Sequence, residues 1–165
     1  MRAAAFFLAL ATALIRAISL SCLRGLETMA TIYNGVVFGG LGIFSKNIKY
    51  QLPHLVWQFP DIKDIHPGSI NVQLDTPLHV ESYDCTTLPI PWLDVDYSGQ
   101  ILGWQFERFS FLEIQFEPIS GQLHRAWIMD CHRSATFHND PTRFEIISEK
   151  IAGVANGQRC KLHVL

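Results

Sequence analysis

Three patches of this 165-residue chain carry side chains able to do chemistry. The first is Gly39-Gly40-Leu41-Gly42, directly after TIYNGVVF (31–38). A glycine loop behind a strand leaves backbone N–H groups open to phosphate oxygens. Lys46 and Lys49 lie just downstream. The loop is neither GxxxxGK[ST] nor GxGxxG, so an ATP site of the P-loop or protein-kinase kind has no support. The same glycines also suit a purely structural turn. The second patch is PGSIN (67–71). Ser69 and Asn71 stand two apart and project to one face of a strand. A hydroxyl and an amide oxygen are hard ligands, suited to a Mg²⁺ that keeps waters and phosphate oxygens. The plain alternative is a turn in which both side chains satisfy nearby backbone. The third patch, HRSATFHNDPTRFEII (132–147), gathers His132, Arg133, Ser134, Thr136, His138, Asp140 and Glu145. Its H-x₅-H spacing matches no helical zinc pair. A polar ligand-binding loop leading into a helix fits it, as does a capped helix behind a solvated loop.

The elements that must position these patches are mostly short strands. TIYNGVVF is β-rich and runs into the glycine loop. In KYQLPHLVWQFP (49–60), Pro53 and Pro60 predict at most a short helix. HPGSINVQLD (66–75) reads as a turn at Pro67-Gly68, then a strand with Ile70, Val72 and Leu74 on one face. Residues 84–100, with two prolines and several acids, read as a loop excursion. ILGWQFERFSFLEIQFEPI (101–119) is the longest β signal, with its parity broken near Arg108. Ser120-Gly121 marks a turn into QLHRAWIMDC (122–131), a further strand. TRFEIISEKIAGV (142–154) has apolar residues at 144, 147, 151 and 154. That spacing predicts a short helix, with Asp140 or Thr142 as N-cap and Gly153 near its end. NGQRCKLHV closes the chain as a turn plus a strand alternating Cys160, Leu162 and Val164. A mainly β fold follows, and a small closed barrel with appended helices is the economical form, because closure removes exposed edges.

Composition narrows the partners. Hydrophobic residues make up 48% and charged residues 17%, which excludes a disordered polyelectrolyte. A net charge of −2 argues against a nucleic-acid binder with a basic surface. The four cysteines at 22, 85, 131 and 160 form no CxxC pair and read as scattered thiols. Residues 1–28 stand apart, with Arg2, Arg16 and Arg24 against Glu27 alone. Arg16 limits the apolar run to Ala3–Ile15, too short for a membrane span. This leader suits a mis-assigned start with Met29 as the true one, a signal peptide or a transit peptide. Without it, ten basic and fourteen acidic residues remain, a net of −4.

In their order along the chain, the patches resemble the archaeal-type CTP-dependent riboflavin kinase family. The matching segments are GLGIF (40–44), HPGSINVQLD (66–75), AWIMDCHRSATFH (126–138), FEIIS (144–148) and NGQRCKLHV (156–164). The resemblance covers about residues 32–165, and so nearly all of a 29–165 domain. It implies a six-stranded cradle-loop β-barrel with short helices, including one opening at FEIIS. It implies a cytoplasmic enzyme that transfers the γ-phosphate of CTP to the 5′-hydroxyl of riboflavin, giving FMN and CDP. Gly40, Leu41 and Gly42 would line the nucleotide, with Lys46 near its phosphates and Lys150 and Ile151 near its base. Ser69 and Asn71 would hold Mg²⁺, and Thr136 and Glu145 would contact the flavin. No residue is assigned as catalytic base. Trp57, Phe59 and Trp127 are aromatic candidates to border the flavin ring, though each also suits core packing. Phe44 stands where the family has its third loop glycine, and EKIAGVANGQ (149–158) shortens the family's helix and turn. Those departures suit an alternative: a module of the same fold that holds a flavin or nucleotide without catalysis. A secreted or membrane-attached β-domain is favoured by residues 1–28 alone. Oligomeric state is left open.

Overall fold

The computed structural model describes residues 30–39, 43–95, 100–132 and 140–165. The leader 1–28 lies outside them. Nine strands, one α-helix and one 3-10 turn are formed by the described residues. β1 is Thr31–Phe38, β2 Ile70–Leu74, β3 Cys85–Thr86, β4 Ile90–Val95 and β5 Ile101–Glu107. β6 is Phe109–Pro118, β7 His124–Cys131, β8 Arg143–Ser148 and β9 Arg159–Val164. The helix α1 is Ile43–Gln58, followed by the 3-10 turn Pro60–Ile62.

Six strands close on themselves in the order β1-β2-β8-β7-β6-β9, with every neighbour antiparallel. This is the six-stranded barrel expected from the sequence. Alternation decides what fills it. Even residues of β6, including Ile114 and Phe116, point inward and meet Val72, Leu74, Ile128, Ile146 and Leu162. Odd residues of the same strand, Phe109 and Phe111, point outward into a second apolar layer. There they meet Trp127 and Met129 of β7, Ile147 of β8, and Ile48 and Leu55 of α1. Ile48, Leu52 and Leu55 recur at helical spacing, so one stripe of α1 roofs the outer face of β6–β7–β8. Arg125 fastens the 3-10 turn to the barrel. Its guanidinium lies 4.8 Å from the Trp127 ring centroid and pairs with Asp61 and Glu113.

At Gly35 the barrel wall admits no side chain. A Cβ there would lie 2.7 Å from the backbone carbonyl oxygen of Gln73 and 3.0 Å from Val72 Cγ1. Cys160 faces Gly35 from β9 and is buried in the barrel. Burial pushes its thiol up to about 11.

Several expectations hold. The parity break at Arg108 separates β5 from β6, and the two strands join different sheets. Gly121 and Gly157 take positive φ at the turns expected there. Cys160 and Leu162 are buried and Val164 packs against them, as their alternation predicts.

Three expectations are corrected. Residues 142–154 do not form a helix: Arg143–Ser148 is strand β8, followed by turns. The 3.6-residue spacing misled because β8 is buried on both faces, Ile146 inside the barrel and Ile147 under α1. Asp140 therefore caps no helix. Its Oδ1 accepts from the Thr142 amide at 3.0 Å and from the Thr142 hydroxyl at 2.5 Å, an Asx-type turn into the strand. Next, the helix is not short; it runs sixteen residues through Pro53. Pro53 lies on the exposed face, where water can serve the carbonyl that its missing N–H leaves unpaired. Finally, 84–100 is not only a loop. Ile90–Val95 is a strand that pairs with β5 in a separate two-stranded sheet.

Candidate functional site

The site grows from the Pro67-Gly68 turn at the mouth of β2. The turn is pinned by the His66 amide donating to the Ser148 carbonyl at 2.8 Å, and by the Gly68 amide donating to the His66 carbonyl at 2.7 Å. These bonds fix where β2 starts and which residues face out. Val72 and Leu74 turn into the barrel, so Asn71 faces away from it. Asn71 pairs directly with Glu145 across the β2–β8 ladder. The Ser69 hydroxyl, one residue before β2, donates to Glu145 Oε1. A hydroxyl, an amide and a carboxylate thus stand on neighbouring residues, each half-buried. All three offer hard oxygens, the donor type that Mg²⁺ takes.

Two hollows flank this trio. A groove of about 340 Å³ is lined by Gly39, Ser69, Asn71, Lys150, Ile151 and Asn156, among others. A larger cavity of about 460 Å³ lies on the Glu145 side and includes Tyr83, Ile128, Asp130, Arg143 and Phe144. Its size falls in the roughly 300–1,000 Å³ range of small-molecule sites. The Ser69–Glu145 hydrogen bond joins the two, since Ser69 lines the groove and Glu145 lines the cavity.

The cavity wall is polar and cross-braced. Tyr83 donates to Asp130 Oδ2 at 2.8 Å, and burial together with that carboxylate pushes the phenol well above its ordinary range. Arg143 Nε donates to Gln73 Oε1 at 2.7 Å, and Gln73 Nε2 donates to the Thr142 hydroxyl. The Thr142 hydroxyl and amide, with Arg143 nearby, hold the Asp140 carboxyl below the usual carboxylate range. Sequence reasoning missed Tyr83 and Asp130. They lie 47 residues apart and are joined only by the fold, so no local spacing could reveal them.

Of the residues singled out from sequence, Ser69, Asn71, Lys150 and Ile151 share the groove, and Glu145 touches Ser69. Gly40, Leu41, Gly42 and Thr136 lie outside the described residues. Lys46 and Lys49 fall within α1, and their side chains are also outside them. None of the three candidate aromatics lines the larger cavity. Phe59 stacks on Phe111 at 5.4 Å and meets Trp127 edge-on at 6.3 Å, so both belong to the layer beneath α1. Trp57 is exposed on the helix. Among the described residues, no three His, Cys, Asp or Glu side chains converge as a metal group. A metal held here would therefore rest on the hydroxyl, the amide and one carboxylate. Among the described residues, no helix is long and apolar enough to cross a membrane.

No protein-family model matches the sequence. No curated protein matches it either.

Proposed function

We propose that residues 29–165 form a riboflavin kinase that moves the γ-phosphate of CTP to the 5′-hydroxyl of riboflavin. One observation carries the reading. The residues assigned to metal and nucleotide by resemblance, Ser69, Asn71, Lys150 and Ile151, line a single groove, and the flavin candidate Glu145 bridges to the adjoining cavity. They come from β2, β8 and the connection before β9, so proximity in sequence does not explain their meeting.

Phosphoryl transfer demands alignment and charge neutralisation more than a strong base. Ser69 and Asn71 would hold Mg²⁺, which supplies positive charge to the phosphate oxygens when bound. Lys150 is exposed at the groove and adds a cation near the nucleotide. Glu145 reaches the cavity wall, where its carboxylate can accept a hydrogen bond from a ribityl hydroxyl and orient it.

The test incubates the purified chain with riboflavin, Mg²⁺ and either CTP or ATP, and separates the flavins by chromatography. FMN formed with CTP is the expected result. Asn71→Ala and Ser69→Ala should each lower turnover about 100-fold or more while leaving thermal unfolding unchanged. FMN with ATP alone would reject the nucleotide assignment. Full turnover in both variants would remove them from the metal position.

A second reading, a flavin- or nucleotide-binding module without catalysis, is favoured by the connection 149–158. It holds turns at Gly153 and Gly157 and no helix, which leaves little structure to grip a base. Riboflavin fluorescence quenched by the protein, with no FMN from either donor, would establish that reading instead.

A further inference from the structure

Arg143 stands where the groove and the larger cavity meet. β1, β2 and β8 are neighbours in the barrel, and their ladders set two successive rows on its outer face. Phe38, Asn71 and Glu145 form one row, and Val36, Gln73 and Arg143 form the next. Arg143 does not keep to its own row. Its guanidinium carbon lies 5.8 Å from the centroid of the Phe38 ring, within reach of a cation–π contact. To pass from β8 to that ring the side chain crosses β2, beside the rung that carries Asn71. Phe38 lines the groove and Arg143 lines the cavity, so one side chain spans from the wall of one hollow to the wall of the other.

The stem is braced and the head is open. Arg143 Nε donates to Gln73 Oε1 at 2.7 Å and lies 3.2 Å from Asp140 Oδ2. Among the described residues, both polar partners take Nε. The Nη groups, which carry the remaining N–H donors of the fork, belong to a side chain 47% exposed. The local charge calls for such a cation. Asp130, Asp140 and Glu145 line the cavity, and Arg143 is the one lysine or arginine among its described lining residues. A phosphoryl group brought up to Glu145 is repelled by these carboxylates unless a cation stands there too. Lys150 lies on the groove side.

We propose that Arg143 is a catalytic residue of the transfer, its Nη groups donating to the γ-phosphoryl oxygens as that group crosses from CTP to riboflavin; the assignment rests on the kinase reading above. In the step, the riboflavin 5′-oxygen forms a bond to the γ-phosphorus. The bond from that phosphorus to the β–γ bridging oxygen breaks, and its electron pair leaves with CDP. The hydroxyl proton passes to the Glu145 carboxylate that orients it, and then to water. In flight the phosphoryl group spreads its charge over three equatorial oxygens. A planar fork at the junction meets two of them at once, which a lysine cannot do. That contact is made in the transition state more than in the ground state, so it raises kcat.

Steady-state FMN formation by the full chain, with riboflavin and CTP each varied at fixed Mg²⁺, tests this. Arg143→Gln should lower kcat about 100-fold or more, with both KM values within about threefold of wild type and circular dichroism unchanged. Arg143→Lys keeps the charge without the fork and should be about tenfold slower than wild type; it carries the test should Arg143→Gln misfold. A second readout needs no turnover. CDP, Mg²⁺ and aluminium fluoride together mimic the phosphoryl group in flight, and should tighten riboflavin binding, read by flavin fluorescence, about tenfold in wild type and not in Arg143→Gln. FMN from wild type with kcat kept within about threefold in Arg143→Gln overturns the role of Arg143 and leaves the kinase reading standing. A loss confined to KM does the same, because it makes Arg143 a binding residue only. No FMN from wild type overturns the kinase reading, and this assignment with it.

Discussion

Replacing Gly35 by alanine should damage the barrel more than its single added methyl suggests. The new Cβ would sit 2.7 Å from the Gln73 carbonyl oxygen, 3.0 Å from Val72 Cγ1 and 3.1 Å from Leu74 Cδ2. The nearest atom is backbone in a paired strand, so it cannot swing aside as a side-chain tip would. Relief requires β1 and β2 to part, which strains the Gly35–Leu74 and Val37–Val72 pairs together. Overpacking of this kind costs about 1–3 kcal/mol, and backbone involvement argues for the upper end. For a domain of this size, each kcal/mol moves the midpoint by about 3–5 °C, so Tm should fall by about 8–15 °C. Gly68→Ala is the matched control. Its Cβ would meet only the His66 ring, Cδ2 at 3.5 Å and Nε2 at 3.7 Å, both ordinary contacts. It should be neutral or stabilising by up to about 1 kcal/mol, through a stiffer unfolded chain. Urea and thermal denaturation of both variants give the comparison. A Gly35→Ala protein within about 0.5 kcal/mol of wild type would refute the reasoning, because the wall would then be shown to yield.

Two further outcomes follow from protonation. Glu117 accepts from Lys161 at 2.8 Å and from His163 at 2.7 Å, which holds its carboxyl below the usual range. Asp75 is lowered likewise by Arg159. A carboxyl depressed in the folded state contributes stability above its unfolded value of about 4, and loses it as pH falls through the folded value. Tm should therefore decline as pH falls below about 4, and Glu117→Gln should flatten that slope; parallel curves for the two proteins would exclude Glu117 as a contributor. Cys160, with its thiol pushed up to about 11 by burial, should resist a thiol reagent at mildly alkaline pH until the barrel unfolds. Labelling of folded protein at Cys160, located by peptide mass, would contradict its burial.

The strands that sequence revealed were those whose alternation meets one core. β2 and β9 each turn one face into the barrel and the other toward solvent, so the two-residue period is plain in Val72–Leu74 and Cys160–Leu162. β8 was hidden because Ile146 and Ile147 are buried in opposite layers. A strand apolar on both faces carries no alternation, and the spacing to Ile151 and Val154 then imitates a helix. The site was half legible for the same reason. Ser69 and Asn71 share a face by parity alone, within one strand and its turn. The partnership with Glu145 depends on the β2–β8 register, which no local pattern encodes. The break at Arg108 was visible, but the departure of β5 to pair with β4 was not, since strand partners are chosen by tertiary packing.

Closure of the barrel joins strands far apart in the chain: Thr31 of β1 lies beside Val164 of β9. During synthesis β1 is made well before its β9 neighbour, with seven strands and the helix between them. At about 5–20 residues per second, that edge waits on the order of ten seconds for its partner. The ring can shut only after β9, the last of its six strands, has been made. Over that interval the nascent hairpins carry apolar faces with nothing yet to cover them, which is when a chaperone that holds exposed apolar chain would matter most.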